Sequence, residues 1–230
     1  MTFSIVARTA DARMFGVAIA SSSPAVASRC AHARAGVGAV ATQNITDPSL
    51  GPGILGALAH GEGARAALEQ SLAATPFAAY RQLLVLGREG PPAVHSGAHA
   101  LGIVNSALGA DAAAGGNLLA RADVPAAMLA AFAAASGHLG ARLLQALRAG
   151  VARGGEAGPI HSAGLLIVRE VAWPIADLRV DWSETDPVAA LGSIWDIYAP
   201  QLEDYVLRAI DPARAPRFDV PGDDVAPGKP

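Results

Sequence analysis

Strand-like and helix-like runs come in groups along this chain, not in strict alternation, and that order constrains the fold more than any other feature. Residues 2–8 (TFSIVAR) and 15–22 (FGVAIASS) are β-rich and strand-length, and the polar turn at 10–13 predicts a hairpin between them. Residues 36–43 (GVGAVATQ) predict another strand, whereas 23–35, rich in Ser and Ala, are expected to be partly irregular. Two short Ala/Leu-rich helices are expected over 48–60 and 62–73, split by Gly61 and closed before Pro76. Residues 80–86 (YRQLLVL) and 93–97 then read as a hairpin around Arg88-Glu89-Gly90. Residues 98–116 are apolar and Gly-rich without a clear period.

Asp123 predicts an N-cap with Pro125 in the first turn, and Met128, Leu129 and Phe132 fall on one helical face. Gly137 separates this helix from a second over 139–151, which Gly154-Gly155 stops. Residues 162–169 and 175–181 predict strands, and Asp186-Pro187 opens a last helix to about residue 210. A parallel doubly wound sheet needs regular alternation of strand and helix. The order here suits an α+β fold of antiparallel sheets with helices packed outside them.

Composition narrows the class. Hydrophobic residues make up 52% and charged residues 16%, which supports a large core and excludes global disorder. The mean hydropathy of +0.33 comes from Ala and Gly in short segments, and no run of eighteen or more strongly apolar residues lacks Gly, Pro or a charge. No membrane partner is therefore expected. Arg8, Asp11 and Arg13 interrupt any export signal, and the reading is a cytoplasmic protein. A net charge of -3 provides no basic footprint for a nucleic acid. Cys30, the sole cysteine, excludes an internal disulfide and a multi-Cys metal site. A single domain over 1–210 is expected, followed by a disordered Pro-rich tail over 211–230.

Few residues suggest chemistry by spacing alone. No phosphate loop with GK[ST] and no G-x-S-x-G elbow occurs. His95 and His99 are four apart, but Gly97 lies between them and no carboxylate completes a metal motif, so neither metal nor cofactor is expected. Cys30 with His32 nearby reads as a packing residue before a nucleophile. Asp177, Arg179 and Asp181 share one face of a strand, which reads first as a solvated or ion-paired face. Gly115-Gly116-Asn117 is either a tight bend or a set of backbone N–H groups beside an amide, suited to an oxyanion. Thr2 is the sharpest candidate. Removal of Met1 before this small residue would expose a hydroxyl nucleophile and an α-amine base, of ordinary pKa about 8, on one residue at the head of a strand.

The opening Thr2-Phe3-Ser4-Ile5-Val6-Ala7-Arg8 resembles the start of domain-of-unknown-function family 1028, which is grouped with the N-terminal-nucleophile (Ntn) hydrolases. The resemblance continues through Gly16-Val17-Ala18 and Ala20-Ser21, and is strongest over residues 35–43. It returns at Tyr80-Arg81-Gln82, Ser96-Gly97, residues 116–119, Gly154-Gly155, Ser162-Ala163 and residues 177–181, covering about residues 1–200. It implies a four-layer αββα sandwich of two antiparallel sheets, with Thr2 as nucleophile at a strand end between them. It also implies Ser21, Ser22, Gln43 and Asn117 as neighbours, the N–H groups near Gly116 as oxyanion hole, and hydrolysis of an amide. Arg29, Asp177 and Arg179 are candidates for the surrounding layer.

The chain departs from the family's pattern in places: residues 98–106 (AHALGIVNS) stand where a Trp-Ala-Gly-His segment is common and hold neither its Trp nor its His, Gly115 replaces a Gln, and Lys229 is the only lysine. Two readings lead, ahead of a third, a metal-dependent hydrolase using His95, His99 and an acid. One is an Ntn-type amidohydrolase acting on a small molecule or short peptide. The other is a ligand-binding or assembly module on the same fold without covalent chemistry. The apolar residues of the last helix, among them Ile194, Trp195, Ile197 and Tyr198, suit a core face or the interface of a homo-oligomer such as a dimer.

Overall fold

The computed structural model describes residues 1–217. β1 (Thr2–Arg8) and β2 (Phe15–Ser21) form the expected hairpin. Its turn is closed by Thr9, whose hydroxyl donates to Asp11 and accepts from the Met14 amide. Eight further strands follow: β3 (Ala31–Arg34), β4 (Gly38–Asn44), β5 (Arg81–Gly87), β6 (Ala93–Ser96), β7 (Asn105–Leu108), β8 (Ala112–Asn117), β9 (Ser162–Val168) and β10 (Ala176–Val180). They make a six-stranded sheet in the order β10-β9-β2-β1-β8-β7 and a four-stranded sheet in the order β3-β4-β5-β6. Every pairing is antiparallel.

Period-two alternation sorts the side chains into layers. On β1, Phe3, Ile5 and Ala7 face helices and pack with Met128, Leu143 and Leu147. Val6, between them, faces the other sheet and packs with Phe15, Val17, Ala39, Ala41, Leu84 and Leu86. The second sheet turns Val40, Leu83 and Val85 outward onto Ile54, Leu58 and Leu68. The helices on its outer face are α2 (Leu50–Ala59) and α3 (Ala64–Ala74). The outer face of the larger sheet carries α4 (Val124–Ala134), α5 (Leu139–Ala152), α6 (Pro187–Tyr198) and α7 (Leu202–Ile210). The chain is thus an α+β protein of two stacked antiparallel sheets with helices outside each. β3 lies over β2 and β9, and β6 lies beside β7, so β10 projects past the smaller sheet.

Several expectations are corrected. Residues 23–35 are irregular only in part, with bend and turn over 23–26, and they contain elements the pattern did not show: a one-turn helix, α1 (Ala27–Cys30), leads directly into β3. It packs on β9 at Gly164, where an added Cβ would collide with Ala27. Residues 98–116, unassigned by pattern, contain β7 and most of β8. The last helix is two helices, because Pro200 lacks an N–H and breaks the run at a 3-10 turn, Ala199–Gln201. Asp186 caps α6, accepting from Val188 N and Ala189 N. Asp123 stands at the N-cap position of α4 without capping it; its carboxylate pairs with Arg121 and Arg153. Of the tail, residues 211–217 form turns, with Arg208 donating to Pro216 O, and 218–230 lie outside the described residues.

Candidate active site

The space between the sheets is apolar through its middle and polar at one end. At that end β1 begins, β2, β4 and β8 finish, and β5 and β9 begin. Thr2, Ser4, Ser21, Gln43, Gln82, Asn117 and Ser162 are all buried there. Polar groups so placed require partners, and most find them in one connected network.

The orientation of each amide follows from a fixed point. The Gly116 carbonyl can only accept, and it receives Gln82 Nε2 at 3.0 Å. Gln82 Oε1 must then accept, and it does so twice: from Gln43 Nε2 at 2.8 Å and from Asn117 Nδ2 at 3.1 Å. Gln43 Oε1 in turn accepts from Ser4 Oγ at 2.7 Å, which ties the two sheets together. Asn117 is left with its Oδ1 buried and without a hydrogen-bond partner.

Thr2 opens β1 opposite Asn117 and is 5% exposed. Its Oγ1 lies 3.3 Å from Ser21 Oγ, and both hydroxyls donate to the Met1 carbonyl. Ser21 Oγ also meets Ser23 Oγ at 2.9 Å, and Arg29 Nη2 donates to Ser23 at 2.9 Å. Arg29 further donates to the carbonyls of Pro24 and Ala25, while Ser162 Oγ donates to Ser23 O. Arg29 therefore orders the 23–25 turn and reaches Thr2 only through Ser23 and Ser21.

Glu156 was not singled out by the sequence. α5 ends at Ala152, and Gly154 (φ +106°) and Gly155 (φ +59°) reverse the chain in the left-handed region that favours glycine. Glu156 then bridges antiparallel to Leu119, supported by Ala157 N to Leu118 O (2.8 Å) and Ala120 N to Gly155 O (3.1 Å). Leu118 holds φ +48°, a strained value for a branched residue, next to Asn117. The Met1 side chain rests against Gly158. Glu156 is 3% exposed; neither carboxylate oxygen has a partner at full hydrogen-bonding distance, and the Ser22 hydroxyl and N–H are donors that act on it. Burial pushes its carboxyl up to about 7, while the α-amine of Met1 and the neighbouring Ser22 act in the opposite sense.

The structure brings Thr2, Ser21, Gln43 and Asn117 together, with Ser22 at the edge beside Glu156. It does not bring Asp177 and Arg179: they pair with each other at 3.2 Å on the exposed face of β10, three strands from β1. Gly116 contributes through its carbonyl. β8 runs between β1 and β7, with Gly116 opposite both Phe3 and Asn105, a central position that favours ladder bonding for its amide. Gln82, Ser4 and Glu156 were missed. Period two on β1 puts Ser4 on the face of Thr2, and that signal was available. His95 Nε2 donates to Ala78 O, and His99 lies against the Tyr80 ring. Burial raises the thiol of Cys30 above its ordinary value, the wrong direction for a thiolate nucleophile. Among the described residues no cluster of three or more His, Cys, Asp or Glu is placed to hold a metal.

The class defined by these features is an α+β protein whose paired antiparallel sheets enclose a buried polar cluster around the amino end of the chain. The chain belongs to the family described as "Family of unknown function (DUF1028)", which matches residues 2–191. Its fold is similar to the crystal structure of protein SPO2555 from Silicibacter pomeroyi, a protein of the same family. The two share 27% identity at a TM-score of 0.81, over 88% of this chain and 94% of that one. A comparison with curated proteins finds no match. No helix among the described residues is long and apolar enough to cross a membrane.

Proposed function

We propose that the chain is an amide hydrolase of the Ntn type, with Thr2 as its nucleophile once Met1 is removed, and that the two-sheet fold is the Ntn sandwich. The observation that carries this reading is the position of Thr2: first residue of a central strand, buried between the sheets, its hydroxyl 3.3 Å from Ser21 Oγ in a polar cluster. A buried hydroxyl costs free energy unless it is hydrogen-bonded, and as a nucleophile at the chain's first residue it has its base on the same residue.

In this mechanism the Thr2 oxygen attacks the substrate carbonyl carbon, and the hydroxyl proton passes to the α-amine. The tetrahedral intermediate collapses, the proton leaves with the departing amine, and an ester on Thr2 remains. Water then attacks the ester with the α-amine again taking the proton, releasing a carboxylic acid and restoring Thr2. Ser21 Oγ, which donates to the Met1 carbonyl, is the group suited to donate to a substrate carbonyl oxygen in the same place. The substrate class is a small-molecule or short-peptide amide.

A second reading, a ligand-binding module without turnover, is favoured by that same Met1 carbonyl, which engages both hydroxyls while Met1 is in place. Thr2→Ala decides between them. It is expected to abolish hydrolysis in a screen of small amides while leaving the melting curve and circular dichroism of the protein unchanged. Equal turnover by both proteins overturns the nucleophile role. Ligand binding without turnover, in a chain whose intact mass still includes Met1, supports the binding module.

A further inference from the structure

Two buried acceptors lie near the amino end of the chain: Asn117 Oδ1, which has no donor, and the Glu156 carboxylate, which has none at full hydrogen-bonding distance and is acted on by the Ser22 hydroxyl and N–H. The amide relay through Gln82 fixes Asn117 with its NH2 toward Gln82, so its free group is an acceptor. Asn117 is opposite Thr2 in register, and Leu119, two residues on, bridges Glu156. Such a cluster suits a donor-rich cation. The peptide nitrogen of Thr2 carries one hydrogen while Met1 precedes it; the α-ammonium that replaces it carries three. Among the described residues the Ser22 hydroxyl and N–H act on the Glu156 carboxyl, and so does the α-ammonium of Met1, one residue before the amine that its removal would expose.

We propose that Glu156, together with Asn117 Oδ1, is the seat of the mature amino terminus, and that Glu156 is a positioning residue holding the Thr2 ammonium. The inference rests on Thr2 being the first residue of the working protein. Its role in the reaction is electrostatic. When the Thr2 hydroxyl proton passes to the amine, the new ammonium faces the Glu156 carboxylate, which stabilises it until the proton moves on to the leaving group. The double-glycine turn that ends α5 is what buries this carboxylate at the strand head.

The test titrates the amine itself. The chain is released from a cleavable N-terminal fusion so that Thr2 is its first residue. Acetylation of the α-amine by acetic anhydride is then followed against pH by peptide mass spectrometry. Lys229, the sole lysine, serves as the internal reference. Glu156→Gln is expected to lower the pH midpoint of Thr2 acetylation by about one unit, a roughly tenfold gain in amine reactivity at neutral pH, with Lys229 unmoved. Glu156→Asp, which keeps the charge one methylene further back, is expected to shift it in the same direction by less, and it stands in if the Gln variant fails to fold. An unchanged midpoint in both variants overturns the proposal. Because this readout needs no turnover, the seat survives or fails independently of the nucleophile role that Thr2→Ala tests.

Discussion

At Gln82 one side chain ties together Gln43, Ser96, Asn117 and the Gly116 carbonyl. Its four bonds turn several expensive burials into a satisfied network, since an unpaired buried amide costs about 1–3 kcal/mol. Asn117 Oδ1 and Glu156 are exceptions, and the cost of burying Glu156 depends on pH. Its carboxyl is raised from an ordinary 4.5 to about 7 in the folded protein. Between those values the folded state binds more protons than the unfolded one, so stability falls as pH rises through this window and levels off above it. The full stability is present below the unfolded value. Allowing for partial solvent screening, the loss is on the order of 2 kcal/mol. Denaturant melts of the chain with Met1 in place, from pH 4.5 to 8, are expected to show this decline in the wild type and a flatter profile in Glu156→Gln. Parallel profiles contradict the assignment of the slope to Glu156.

Strand termini position the cluster, so register matters at the level of the element. Gly116 lies opposite Phe3 on β1: a Cβ there would stand 2.9 Å from Thr2 O and 2.5 Å from Leu119 Cδ2. Gly116→Ala is expected to push β8 from β1 at the Thr2–Asn117 pair, costing about 1–3 kcal/mol and lowering any turnover more than Ala substitutions elsewhere on β8. Chemical denaturation and a rate assay check the two effects. The same geometry explains what was legible beforehand. β1, β2, β4, β5 and β9 carry Val, Ile and Leu at strand spacing, and their runs are visible in the sequence. β8 reads AAAGGN, with no β-branched residue, because it is wedged between β1, β7 and α4, where only small side chains fit. Thr2, Ser21, Gln43 and Asn117 stood out as polar ends of apolar runs or through the family resemblance. Gln82 lay inside a run that reads as plain strand, and Glu156 followed a Gly-Gly pair whose evident meaning was a helix stop. Its burial depends on a contact with Leu119, distant in sequence, that no local pattern encodes.

On the scale of the whole molecule, the unequal sheets divide the inner faces into covered and uncovered parts. β1, β2 and β8 meet the second sheet and are apolar in their middles, while β10 reaches beyond it and exposes Asp177 and Arg179 on the face that would otherwise be core. Their helix-facing neighbours Ala176 and Leu178 are buried. The ion pair itself is solvent-exposed and contributes little to stability. Its consequence is colloidal. β10 is a terminal strand, with unused hydrogen-bonding capacity along its outer side, and charges on its bare face penalise any second sheet stacking or extending there. Replacing Asp177 and Arg179 together by Val and Thr is expected to leave the monomer's melting temperature within a few degrees of the wild type. The same change should make the protein associate with rising concentration, seen by light scattering and thioflavin binding. A charge pair that looks incidental would then be what keeps one molecule's sheet from becoming the template for the next.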